Sequence, residues 1–245
     1  THGEINVSEA LRDSCNYYFY EVGYRLATNN YSTAYNDSLG IEKLQKYASL
    51  FGLNERTGIE IEEAAPQIAN EFPVMAAIGQ SNNNYTTVQL ARYVTAVANG
   101  GTVYQYTLLN RLEDSDGNVL QTFEPQVRNQ IDVLDTEKWN AIHSGMRMVV
   151  ENTKEFDGFP IEAAGKTGTA QQNLKRPNHA LFVGYAPYDD PEISIATRIA
   201  YGYTSHNAAK LARNVFAYYF NVENEDELLN GQAANGNSSS NEISD

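Results

Sequence analysis

Lys166-Thr167-Gly168-Thr169 places a fixed positive charge and two hydroxyls around a glycine. Such a set offers donors to an anion, and Gly168 lets a bound chain approach the backbone. Far upstream, Ser14-Cys15-Asn16 adds a second hydroxyl and a side-chain amide. Each element has a plain structural reading. A Lys-Thr-Gly triplet recurs by chance, and Ser/Asn pairs commonly mark helix breaks that bond to their own backbone. The two elements matter as a pair.

Other chemistries lose their support on spacing. Gly165-Lys166-Thr167 ends like a phosphate-binding loop, but that loop needs glycine where Pro160 stands, and Gly158 is two positions too early. Asp114, Asp116 and Asn118 suggest a calcium loop whose sixth position is Val119 rather than glycine, so this segment reads as a hairpin turn. Neither Gly-x-Ser-x-Gly nor His-Glu-x-x-His occurs. His143 and His179 read as packing or hydrogen-bonding groups, and His206 as part of the first turn of the last helix. Tyr17, Tyr18, Phe19 and Tyr20 read as core and boundary aromatics.

The elements that must position these residues follow from periodicity. Asn6 with Glu9 makes a capping box for a short helix, and Tyr17–Ala27 forms a second. Residues two apart on a helix diverge by about 200°, so Ser14 and Asn16 share one side only if the helix breaks between these segments. Asn30–Gly40 is a polar loop. Ile41, Leu44, Ala48 and Phe51 form a helix closed by Gly52, and Leu90 to Ala98 another closed by Asn99-Gly100-Gly101. Thr102–Leu112 and Val119–Phe123 read as two strands joined through Asp116-Gly117. A helix runs from Asp135 to Val150. Ala164–Ala170, Ala180–Ala186 and Ile193–Tyr201 form a three-stranded meander with the lysine motif on an edge strand. A final helix carries Ala208, Leu211, Ala212, Val215, Phe216 and Tyr219, with Ser205 as its cap. The fold class is α+β.

A chain of 245 residues can form one large domain or two small ones. The net charge of −14 makes nucleic acid a poor partner. No run of 18 apolar residues is present. Cys15 is the single cysteine, which excludes an internal disulfide and a cysteine-based zinc site. Residues 223–245 are acidic and then rich in Gly, Asn and Ser, and are expected to be disordered.

With Ser14-Cys15-Asn16 and Lys166-Thr167-Gly168 in view, the chain resembles the transpeptidase domain of class B penicillin-binding proteins, most closely the elongation-type enzymes of Gram-positive bacteria. The likeness extends through Thr1-His2-Gly3 to Val7, Phe51-Gly52-Leu53, Thr57-Gly58-Ile59, Ala77-Ile78-Gly79-Gln80, Gln89-Leu90-Ala91, Ala98-Asn99-Gly100-Gly101, Ala164 to Gln171 and His179 to Pro187. It covers residues 1–222. The resemblance implies a β-lactamase/DD-transpeptidase-like fold, a helical lobe with an antiparallel sheet and C-terminal helix. It implies a serine acyl-enzyme that cross-links peptidoglycan stem peptides ending in D-alanyl-D-alanine and captures β-lactams, without a cofactor or metal. By the same resemblance, Ser14 relays a proton to the leaving amine and Asn16 holds the acyl chain. Lys166 stabilises charge and polarises Ser14. Thr167, Gly168 and Thr169 form the substrate wall, their hydroxyls holding the terminal carboxylate, and the Thr169 N–H is an oxyanion donor.

One element of the family is not here. No serine in the 245 residues is followed three positions later by lysine. The Ser-x-x-Lys that supplies nucleophile and base is therefore expected upstream, in a longer protein anchored by an N-terminal segment to the extracytoplasmic face of the membrane. This chain is expected to be the C-terminal part of the domain and inactive alone. Its expected partners are the upstream part of the same protein and a glycan polymerase. Two alternatives share the fold: a non-catalytic scaffold, and a serine β-lactamase or β-lactam sensor.

Overall fold

The computed structural model describes residues 2–223 and Leu228. The tail expected to be disordered over 223–245 lies, apart from Glu223 and Leu228, outside the described residues. Two compact units divide the chain, residues 1–15 with 136–245 and residues 16–135.

The first unit is built on a sheet. Strands β5 (Ala164–Ala170), β6 (His179–Ala186) and β7 (Ile193–Ile199) form an antiparallel meander in the order β5-β6-β7, as the three apolar runs predicted. Register aligns Thr167 with Phe182 and Thr197, and Lys166 with Val183 and Ala196. Directly paired residues share a face, so these two rows lie on opposite faces. Helix α7 (Ser205–Tyr219) covers the Phe182 face. Its Ala208, Ala209, Ala212 and Phe216 are fully buried against Phe182, and the Thr197 hydroxyl donates to the Ala208 carbonyl at 3.0 Å. The cap of α7 is Thr204 rather than the expected Ser205: the Thr204 side chain accepts from the His206 N–H, and Ser205 is buried as the first helical residue. Position decides this, because only the residue before the helix has the extended backbone that turns its oxygen onto the first free N–H groups.

Helix α6 (Thr136–Glu151) packs on β5, with His143 edge-on to Tyr185 at 6.0 Å. Tyr185 shares its face with Lys166, so α6 lies on the lysine side of the sheet. Helix α1 (Val7–Arg12) packs on α6 and thus belongs to this unit, although the sequence places it among the early helices. The contact is close because α6 has Gly145 there. A Cβ at that position would lie 2.8 Å from Leu11 Cδ1 and 3.0 Å from Ser8 Cα. The Ser8 hydroxyl donates to the Ala141 carbonyl at 2.6 Å across the same seam.

The second unit holds α2 (Asn16–Ala27), α3 (Asp37–Leu50), a single turn α4 (Pro73–Ala76) and α5 (Thr87–Ala98). The polar loop therefore ends at Asn36, whose side chain caps α3 by accepting from the Leu39 N–H. Helix α5 starts with a capping box between Thr86 and Gln89. The strand reading over Thr102–Leu112 needs correction. It divides into β1 (Thr102–Gln105), which pairs with β4 (Gln126–Gln130), and β2 (Arg111–Glu113), which pairs with β3 (Val119–Thr122). Strand β4, sequence QVRNQ with only Val127 apolar, has too weak an alternation to read as a strand. The Asp114–Asn118 segment is the expected turn, with Asp114 Oδ1 accepting the N–H groups of Asp116 and Asn118 at 2.9 Å. Among the described residues no helix is long and apolar enough to cross a membrane.

Candidate active site

The end of α1 shapes one half of the site. Past the C-cap Asp13, Ser14 sits at φ +46°, in the left-handed region. Its N–H donates to the Leu11 carbonyl at 3.3 Å, and the Cys15 N–H donates to the Ala10 carbonyl at 3.0 Å. This pair of bonds is a Schellman termination, and Ser14 fills the place that glycine normally takes. A serine there bears a steric cost of order 1 kcal/mol or more. The hydroxyl is what glycine would lack. Cys15 follows as the buried contact that accompanies this motif. The break that a shared orientation of Ser14 and Asn16 requires is therefore present.

The other half is β5. Ala164 and Gly165 are buried, and Lys166 to Ala170 are half-buried along the edge of the sheet. The Phe182 ring lies across Gly165: a Cβ there would run into its Cζ, with Cε2 and the Val183 carbonyl at 2.8 Å. That contact fixes β5 flat on β6. Lys166 Nζ donates to Ser14 Oγ at 2.5 Å, to the Thr167 carbonyl at 3.1 Å and to Thr167 Oγ1 at 3.4 Å. The ammonium thus joins a hydroxyl just past the end of α1 to a hydroxyl on its own strand. Charge-assisted bonds of this kind are short and strong.

Of the six residues singled out in the sequence, Ser14, Lys166 and Thr167 meet directly. Gly168 and Thr169 continue along β5, opposite Leu181 and Ala180. Asn16 is exposed and opens α2, the first helix of the second unit. Gly145 was invisible in the sequence as a contributor. It is an unremarkable glycine inside a helical pattern, and only the approach of α1 explains it. His179 is a hydrogen-bonding group, as its position at the start of a strand suggested, and it bonds on both ring nitrogens.

A hydroxyl fixed on a lysine ammonium beside a strand edge can pass a proton, hold a carboxylate and accept an extended chain. Comparison with known proteins identifies the family. The model of the penicillin binding protein transpeptidase domain matches residues 1–217. The chain is 31% identical to peptidoglycan D,D-transpeptidase MrdA of Haemophilus influenzae, over 90% of this chain and 37% of that protein. It is 26% identical to penicillin-binding protein 2A of Bacillus subtilis, over 95% of this chain and 36% of that one. Among solved structures, penicillin-binding protein 2B of Streptococcus pneumoniae superposes with a TM-score of 0.77 at 24% identity, covering 89% of this chain and 39% of its own. The chain spans little more than a third of the length of these relatives. On the family match and the shared α+β fold, it belongs to the penicillin-binding protein transpeptidase domain family, in its class B branch.

Proposed function

We propose that this chain forms the acid–base and carboxylate-holding wall of a peptidoglycan D,D-transpeptidase of the elongation type. The 2.5 Å contact between Ser14 Oγ and Lys166 Nζ carries this reading, because it joins the two motifs into one proton-handling group. The serine nucleophile comes from a Ser-x-x-Lys segment outside this chain. Its oxygen attacks the carbonyl carbon of the penultimate D-alanine while the lysine of that segment takes its proton, and the bond to the terminal D-alanine nitrogen breaks. Ser14 relays that proton from the lysine to the departing amine. The amine of a neighbouring stem peptide then displaces the enzyme serine and gives up its proton along the same route.

Lys166 directs the Ser14 hydroxyl by donating to its oxygen. Thr167 and Thr169 hydroxyls take the terminal carboxylate, and Gly168 admits the substrate backbone. The outer edge of β5 accepts the stem peptide as an added strand, with the Thr169 N–H as oxyanion donor. Asn16 bonds the acyl chain. β-Lactams enter by the same attack and stay as acyl-enzymes. The whole protein acts on the extracytoplasmic face of the membrane, held by a segment outside this chain, together with a glycan polymerase.

A fluorescent penicillin tests this on the whole protein and on this chain. The whole protein is expected to label, and its Lys166→Ala variant to label on the order of 10²–10³-fold more slowly. The chain alone is expected not to label. Labelling of the isolated chain, or an unchanged rate in Lys166→Ala, overturns the reading.

A further inference from the structure

His179 is the first residue of β6, directly opposite Ala170 and one pair beyond Thr169. It is 7% exposed. Its Nδ1 lies 3.1 Å from the Tyr201 N–H, and its Nε2 lies 2.9 Å from Gln172 Oε1. A backbone N–H can only donate, so Nδ1 must be unprotonated, and the proton sits on Nε2, which donates to Gln172. Both bonds hold together only in the neutral ring. Tyr201, at φ +55° in the turn between β7 and α7, lies tilted against the imidazole, with ring centroids 4.9 Å apart. Its hydroxyl accepts from Arg176 Nη1 at 2.7 Å, and the Arg176 guanidinium also lies over its ring. The Asn178 carbonyl accepts the Tyr203 N–H at 3.2 Å. Gln172, Arg176 and Asn178 all belong to the loop between β5 and β6, so the Arg176–Tyr201 and Asn178–Tyr203 bonds tie that loop to the turn directly, and His179, at the start of β6, bonds to both.

We propose that His179 is a positioning residue: while neutral it clasps the β5–β6 loop to the β7–α7 turn and holds the far end of the Lys166–Thr169 strand in place, and on protonation it lets go. A second proton on Nδ1 would face the Tyr201 N–H, turning an acceptor into a competing donor. The charged groups facing the ring are Arg198 of β7, whose Nη2 lies 3.3 Å from Nε2 and 3.4 Å from Nδ1, and Arg176 through Tyr201. Both are cationic and resist a charged imidazole. Burial, followed by Arg198, accordingly lowers the His179 pKa from its ordinary value. The sign follows: the clasp is intact above the usual histidine range and is lost as pH falls through the depressed value. The link to catalysis rests on the transpeptidase reading above, since the strand being held is the one assigned to the substrate carboxylate.

The test uses the whole protein as wild type, His179→Asn, His179→Phe and Lys166→Ala, with two readouts between pH 8 and pH 4.5. One is the acylation rate with fluorescent penicillin. The other is hydrogen–deuterium exchange over residues 171–178 and 200–204, corrected for intrinsic exchange. Asparagine keeps a neutral acceptor near Nδ1 but cannot titrate; phenylalanine keeps the ring and loses both bonds. The ratio of His179→Asn to wild-type rates is expected to rise about tenfold from pH 7.5 to pH 5, and His179→Phe to be about 10- to 100-fold slow throughout. Exchange in both segments should quicken at acid pH in wild type but not in His179→Asn. An identical acid limb in wild type and His179→Asn overturns the proposal, as does pH-independent protection of the loop. A wild type that does not label, or a normal Lys166→Ala, sinks the active-site reading instead, and the exchange data still decide the clasp.

Discussion

Ser14 Oγ lies 2.5 Å from Lys166 Nζ across a separation of 152 residues. The hydroxyl sits just past the C-cap of α1, which is held against α6 at Gly145, and α6 packs on the strand that bears the lysine. The bond is the meeting point of two rigid supports. Its geometry depends on backbone features that can be altered one at a time.

Ser14 occupies a glycine position, so Ser14→Gly should stabilise the protein while removing its function. Relief of the left-handed serine is expected to raise stability by about 1 kcal/mol. Ser14→Ala keeps the Cβ and should give no such gain. Both variants lose the relay, and penicillin acylation of the whole protein should drop about 100-fold or more. Urea midpoints and acylation rates measure the two effects. Equal stability of the glycine and alanine variants would show that the helix end is not strained.

Gly165 is required by the Phe182 ring. Gly165→Ala should cost roughly 1–3 kcal/mol through overpacking, and slow acylation by shifting Lys166. Shortening the ring with Phe182→Leu removes the obstacle, so the double variant should be less destabilised than the sum of the single ones. Strict additivity in denaturant unfolding would rule out this contact as the cause.

Arg92 on α5 is 1% exposed and organises the second unit. Its guanidinium donates to the carbonyls of Gly52, Glu55 and Arg56, the chain that follows α3. Burial lowers its pKa, partly countered by Glu55 and Glu63. Arg92→Met fills the volume but leaves three carbonyls, that of buried Gly52 among them, without their donor. We expect a loss of about 3 kcal/mol or more. A change below about 1 kcal/mol in the unfolding free energy would mean that water replaces the guanidinium freely.

Glu223 forms an ion pair with Arg213, which also covers the Phe159 ring at 5.1 Å. The Arg213 hydrogen bond lowers the Glu223 carboxyl below its ordinary value, against a smaller opposing effect of burial. The folded carboxylate holds its charge to lower pH than the unfolded one. Its contribution is therefore complete above the unfolded value and fades as pH falls through the folded one. Glu223→Gln should cost no more than about 1 kcal/mol at pH 7, match wild type once the carboxylate is protonated, and acylate normally. Unfolding midpoints from pH 7 to pH 3 test this. A deficit that persists at pH 3 would assign the effect to packing.

Pattern alone carried most of the elements. The capping box at Asn6 and Glu9, the glycine stops after α3 and α5, and the three apolar runs of the meander depend on neighbours within a few residues, where side-chain preference and backbone geometry act directly. Strand β4 escaped because its pairing with β1, rather than its own alternation, makes it a strand. Thr204 displaced Ser205 because the cap belongs to whichever residue stands one place ahead of the first helical turn. For the site, residue types and order sufficed to single out Ser14, Lys166 and Thr167. Only the folded chain decided that they touch. The reason is distance along the polymer: the contact is set by Gly145 letting α1 seat on α6 and by Phe182 lying across Gly165, both of them contacts between segments far apart in the sequence. A serine in a glycine position leaves no mark in composition or spacing. It becomes visible only when the backbone angle at Ser14 and the lysine at the end of its hydroxyl are seen together.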